Sequence, residues 1–157
     1  MKIRVVAVGR VRPPLTDAVA EYEARASRYW KVEWVEVEGG SGGGKPSPDA
    51  VRRAEADRIL RALPRASRVI LLTREGKGMS SRDLARVLDE GAVYGKGDVT
   101  FVIGGAYGVA PEVSRRASAT LSLSPMTLPH EMARLILAEQ LYRAGTILRN
   151  EPYHKGA

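Results

Sequence analysis

The chain has 157 residues, 44% hydrophobic and 27% charged, which suits one domain spanning 1–157 with a sizeable core. No apolar run reaches the roughly 18 residues of a membrane span, and the lack of cysteine excludes disulfides, thiolate metal sites and cysteine nucleophiles and suits a reducing cytoplasm. Twenty-five Lys and Arg against 18 Asp and Glu leave a net charge of +7, a balance that favours an anionic partner such as nucleic acid, although the arginines are too scattered to mark one helix as a groove reader.

In chain order, Lys2 to Val8 is short, β-branched and followed by Gly9, so it reads as a first strand rather than a signal peptide. Thr16 or Asp17 is placed to cap a helix running to about Tyr29, with Val19, Tyr22, Ala26 and Tyr29 on one face. Val32 to Val37 is strand-like, and Gly39 to Lys45 is a flexible glycine-rich loop. Ser47-Pro48 is a helix start. Val51, Ala54 or Glu55, Arg58, Ile59 and Leu63 follow at helical spacing until Pro64. Val69 to Thr73 and Val99 to Ile103 are unbroken apolar runs of the kind covered on both faces in a parallel sheet. Between them, Ser80 to Asp83 forms a capping box that opens a helix with Leu84, Val87 and Leu88 inward, ending near Gly91. Pro111 opens a short helix, Leu121 to Ser124 reads as a short strand, and His130 to Leu148 is the longest helix. This alternation predicts an α/β domain with a mostly parallel sheet flanked by helices. Ligands then sit beyond the carboxyl ends of the strands, which points to the stretches after Leu72, Gly104 and Ser122.

Gly39, Gly44 and Lys45 stand at P-loop spacing, but Pro46 replaces the hydroxyl residue that would hold magnesium and removes an N–H from the cradle, so the segment reads as a surface loop. Gly104-Gly105-Ala106-Tyr107-Gly108 is a glycine turn straight after a buried strand. Its glycines permit close approach of a ligand and positive φ, and a tight turn without a ligand would look the same. In the stretch Ser122 to His130, Pro125 and Pro129 fix the path of an otherwise apolar loop, whose carbonyls, amides and greasy walls suit an adenine ring and a sulfonium better than a phosphate. The helix from Glu131 to Leu148 is apolar most of the way round, the pattern of a core or a homodimer interface, and Glu139 and Arg143 are spaced to pair with each other. The tail places Tyr153 and His154 side by side next to Lys155.

Taken together, Val102-Ile103-Gly104-Gly105 with Gly108, Leu121 to Ser124 with Met126 to His130, Ala138 to Ala144, and Pro152-Tyr153-His154 resemble the RlmH family of ribosomal RNA large-subunit methyltransferases, in the SPOUT superfamily. Val6-Ala7-Val8-Gly9 matches as well, and the likeness covers essentially the whole chain. The resemblance implies an α/β trefoil knot and a homodimer with the site near the subunit boundary. It also implies N3 methylation of a pseudouridine of 23S rRNA within the ribosome (large subunit or assembled particle), using S-adenosyl-L-methionine and no metal. Carried over by motif, the cofactor pocket involves Leu72, Gly105, Ser124, Pro125, Met126, Thr127, Leu128 and Pro129. His154 is the candidate base, Tyr153 places or stacks on the target base, and Arg143 stabilises the developing anion or holds a phosphate. The alternatives are ribose 2′-O-methylation by another SPOUT enzyme and a non-catalytic RNA- or ribosome-binding module.

Overall fold

The computed structural model describes residues 1–95 and 97–156. Among these, five strands form one parallel sheet: β1 (Lys2–Val8), β2 (Lys31–Val37), β3 (Ser67–Leu72), β4 (Asp98–Ile103) and β5 (Ala119–Leu121), in the order β2-β1-β4-β3-β5. The flanking helices are α1 (Thr16–Ala26), α2 (Pro48–Ala62), α3 (Ser81–Val93), α4 (Pro111–Arg116) and α5 (His130–Leu148), followed by a 3-10 turn at Pro152–His154. No helix among the described residues is long and apolar enough to cross a membrane.

The side chains of the central strands alternate between two buried faces, as a period of two requires. Ile3, Val5, Ala7, Ile70, Val99, Phe101 and Ile103 pack beneath α3 and α5, whereas Val6, Val8, Val69, Leu71 and Val102 pack beneath α2 and α4. Burial on both faces is why β3 carries the apolar run Val69 to Leu72 and β4 the run Phe101 to Ile103, and why the parallel α/β reading of the sequence holds.

Three boundaries differ from the sequence reading. The first helix starts from Leu15, whose backbone is already helical and makes no side-chain cap, so Thr16 and Asp17 fall inside the first turn. At its other end the bonds tighten, with Tyr29 and Trp30 both donating to the Ala26 carbonyl, and the regular helix stops at Ala26 instead of Tyr29. The last strand is Ala119–Leu121 rather than Leu121 to Ser124. Its partner β3 ends at Leu72, opposite Leu121, so Ser122 has no strand to pair with and donates to the Lys77 carbonyl instead (2.9 Å). The α3 capping box is present as read, with Ser80 Oγ accepting from Asp83 N and Asp83 Oδ2 accepting from Ser80 N.

Helix α5 packs on α1 and α3 and spans the molecule. Arg134, 6% exposed, ties it to Glu23 of α1 (2.6 Å) and Glu36 of β2 (3.2 Å), and Trp30 Nε1 donates to the Leu141 carbonyl (2.8 Å). Gly145 is needed where the Tyr29 ring lies flush on the helix, since a Cβ there would stand 2.3 Å from the ring. The Tyr29 hydroxyl in turn donates to Glu151, which anchors the tail beyond the helix.

Candidate active site

The carboxyl ends of β4, β3 and β5 lie side by side, with Leu72 in register with both Ile103 and Leu121. The segments that follow these three strands enclose a cleft of about 1380 Å³. Leu72, Gly105, Ser124, Met126, Thr127, Leu128 and Pro129 contribute to its walls, whereas Pro125 is exposed and does not. The loop from Ser122 to Pro129 is fixed by its own polar groups: Ser122 Oγ donates to the Arg74 carbonyl (3.0 Å), Met126 N donates to Ser124 Oγ (3.0 Å), and Arg74 donates to Thr127 Oγ1 (3.0 Å). Pro129 is the residue before α5, and its carbonyl accepts from Ala133 N to start the helix. His130 closes the cleft floor, and its ring lies over Gly9, where a Cβ would meet Cε1 at 2.8 Å. Leu72, Leu123, Met126 and Leu128 give the cleft apolar lining and Arg12, Arg52 and Arg74 give it cations, with Arg74 bonded to Thr127 between Met126 and Leu128.

The glycines of the β4 turn have three separate reasons. A Cβ on Gly104 would strike Val109 at 2.7 Å, and Gly108 adopts a φ of +77° with open space around it. A Cβ on Gly105 would point at the Glu55 carboxylate, 2.8 Å from Oε1 and 3.0 Å from Oε2. A buried acid on α2 thus stands against a side chain at Gly105.

The other predicted group lies elsewhere in the chain. Thirteen residues of α5, about 20 Å at about 1.5 Å per residue, separate His130 at the cleft from Arg143. There Glu139 Oε1 accepts from Arg143 Nε (2.9 Å) and Nη2 (2.5 Å) and from the Tyr153 hydroxyl (3.0 Å). The Arg143 guanidinium also lies over the Tyr153 ring, 5.0 Å from its centroid, and Tyr142 packs on Tyr153 with centroids 4.5 Å apart. The Glu139 hydrogen bond raises the Arg143 pKa further, so this residue is a fixed cation. Burial, with hydrogen bonds to Tyr22 and Glu139, holds the Tyr153 phenol well above its ordinary pKa, so it stays protonated and acts as a donor. His154 follows Tyr153 in the 3-10 turn, and its Nδ1 is buried with no hydrogen-bond partner among the described residues. One chain thus brings Arg143, Tyr153 and His154 together, and brings most of the predicted cofactor residues together, but holds the two sets apart.

A family model described as a predicted SPOUT methyltransferase matches residues 1–154. The chain belongs to this family. The ribosomal RNA large subunit methyltransferase H of Gemmatimonas aurantiaca is 46% identical over 99% of this chain and 100% of its own length. The protein of the same name from Syntrophotalea carbinolica is 46% identical over 98% of this chain and 99% of its own. A crystal structure of a probable methyltransferase from Bordetella pertussis superposes with a TM-score of 0.60 at 17% identity, covering 92% of this chain and 94% of that one, which shows likeness of fold. In a SPOUT methyltransferase the cleft and the tail are the two regions that need explaining, and sequence reasoning left parts of both unread. Arg12, Arg52 and Arg74 line the cleft without belonging to any predicted motif, and His130, at the end of the Ser122 to His130 stretch, lines it too. Glu139 had been read only as a partner for Arg143, and nothing in the spacing revealed that Tyr153 shares the same oxygen. Glu55 did carry a signal, since it falls on the buried stripe of α2 between Val51 and Ile59.

Proposed function

We propose that the chain methylates N3 of a pseudouridine in 23S rRNA within the ribosome, using S-adenosyl-L-methionine, as a homodimer of trefoil-knotted subunits. The observation that carries this reading is the cleft itself: apolar walls, a glycine turn and a proline-pinned loop at the carboxyl ends of three adjacent strands, in a chain whose relatives are named as ribosomal RNA methyltransferases. The donor set fits the cofactor. Leu72, Leu128 and Met126 offer faces for an adenine ring, backbone groups of Gly105 and of Ser124 to Pro129 offer polar contacts for its edge, and the Arg74 guanidinium beside Thr127 is paired with Glu75. At about 1380 Å³ the cleft exceeds the roughly 300–1,000 Å³ of a single small-ligand site, leaving room for a flipped-out nucleotide beside the cofactor.

The bound cofactor supplies an electrophilic methyl group, and the protein has to present a nucleophilic nitrogen in line with it. N3 of pseudouridine lies between two carbonyls and carries a proton, which must leave as the nitrogen–carbon bond forms. His154 takes that proton. Arg143 keeps guanidinium N–H donors beyond those engaged by Glu139 and holds the anionic ring. Tyr153, protonated and packed on Tyr142, gives the base a surface to stack on.

Since Arg143 stands about 15 Å along α5 from Ala133, the last helix residue that lines the cleft of its own chain, these three residues act on the partner's cleft. Met132, Ile136, Glu139 and Arg143 fall on one side of α5, and Met132 and Ile136 are not fully covered by the chain's own core. Two copies paired antiparallel along this stripe about a two-fold axis set the Arg143 end of each helix against the His130 end of the other. Purified protein incubated with labelled cofactor and ribosomes lacking the modification tests the assignment. Label is expected on a 23S rRNA pseudouridine base by mass spectrometry of the digest; label on ribose, or no cofactor binding by calorimetry, overturns it.

A further inference from the structure

Glu55 is the acid that the mechanism does not use. It sits on α2 with 4% of its surface exposed, facing the sheet in line with Val51 and Ile59. A carboxylate at such a depth is costly unless its oxygens are hydrogen-bonded, and a leucine of similar volume would cover the sheet at lower cost. Its two oxygens meet two different loops. Oε2 accepts from Gly40 N at 2.8 Å, at the start of the glycine-rich loop 39–45. Oε1 has no hydrogen-bond partner among the described residues and stands where the Cβ of residue 105 would be, against the turn that borders the cleft. Arg58, one helical turn further on, holds the same loop by donating to the carbonyls of Glu38 (2.8 Å) and Gly40 (2.6 Å). These loops follow β2 and β4, which are separated in the sheet by β1, so no strand pairing joins them. Glu55 is a side chain that lies against both.

We infer that Glu55 is a positioning residue: its buried carboxylate sets the Gly104–Gly108 turn for the cofactor and locks the loop 39–45 to that turn, so that filling the cleft orders the loop. This rests on the reading of the cleft as a cofactor site. The oxygen left without a partner is the place where an N–H of the turn settles when the ligand presses on it. Gly105 is then required because any Cβ would displace the carboxylate, and the loop, with Lys45 exposed at its far end, becomes a cofactor-dependent element at the edge of the site.

Calorimetry with S-adenosylmethionine and amide hydrogen exchange on the full chain test this together. Glu55→Gln keeps the shape and one acceptor, and is expected to weaken cofactor binding about tenfold, the value of one hydrogen bond to a charged group, with the melting temperature nearly unchanged. In the wild type the cofactor slows exchange of residues 40–44, and in Glu55→Gln at saturating cofactor it does not. Gly105→Ala weakens binding in the wild-type background and adds little in the Glu55→Ala background, because the atom it would strike is gone. Wild-type affinity and loop protection in Glu55→Gln, or an equal effect of Gly105→Ala in both backgrounds, would overturn the role of Glu55 while leaving the cofactor site intact. A wild-type protein that binds no cofactor would instead remove the functional reading, and this inference with it.

Discussion

At its His130 end α5 borders a site made of backbone: glycine turns, a proline-pinned loop and apolar walls, with polar groups tied to one another along the chain. At its Arg143 end the helix carries a site made of side chains, in which a cation, a carboxylate and a phenol meet on one oxygen. The first arrangement recognises shape and tolerates a neutral or cationic ligand. The second places fixed charge and donors, which is what an anionic ring requires. The cleft also carries Arg12, Arg52 and Arg74, and the cluster around Arg143 lies outside its lining. On the proposed reading, binding and proton chemistry are separated along one rigid helix and rejoined by a second copy.

The sharpest way to break that comparison is to disable each end in a different chain. Leu128→Arg places a charge in the apolar part of the cleft and is expected to abolish cofactor binding, while Arg143→Ala abolishes turnover. Each variant alone should be inactive. Mixed in equal amounts and allowed to exchange subunits, they form about half heterodimers with one intact site of two, restoring about a quarter of wild-type activity. No recovery would mean that each chain uses its own tail. Arg143→Ala by itself is the next largest effect: a fall in kcat of roughly 10²–10³, as for loss of a donor to a developing oxyanion, with the calorimetric affinity for the cofactor unchanged. A fall in cofactor affinity instead would show that the two ends are not separate.

How far these ends were legible in the sequence follows from the same physics. The cleft was readable because backbone sites are written in glycines and prolines and because a parallel sheet opens at its carboxyl ends; Leu72, Gly105 and Leu128 meet there as the alternation of strands and helices required. Pro125 and Pro129 both restrict the chain and both are exposed, but only Pro129, which abuts α5, borders the cleft. The side-chain site was less legible. The i, i+4 spacing of Glu139 and Arg143 announced their pairing, yet Tyr153 reaches Glu139 only because Gly145 lets Tyr29 lie flat and Tyr29 holds Glu151, a chain of contacts with no local pattern. Nor does spacing along one helix reveal which subunit each end would serve in the proposed dimer.

Tyr153 gives the smaller, finer tests. Tyr153→Phe removes the hydroxyl from Glu139 but keeps the ring against Tyr142 and Arg143, so kcat is expected to fall by less than about tenfold, the value of one neutral hydrogen bond. If the rate falls as far as in Arg143→Ala, the phenol is the base and His154 is not. The pH dependence separates these outcomes independently. The phenol pKa is raised in the folded chain by burial and by its hydrogen bonds to Tyr22 and Glu139. A raised pKa means that the stabilisation is fully present below the unfolded value of about 10 and is lost as pH rises through the folded value. Between pH 6 and 9 the proton therefore stays on, and wild type and Tyr153→Phe should give rate profiles of the same shape, differing only in height. Above pH 10 the wild type alone should lose the anchoring of its tail as the phenolate forms beside the Glu139 carboxylate, visible as faster amide exchange in residues 150–154. A profile that changes shape near neutrality in Tyr153→Phe would place a titrating tyrosine in the reaction and move the side-chain site from a donor cluster to an acid–base one.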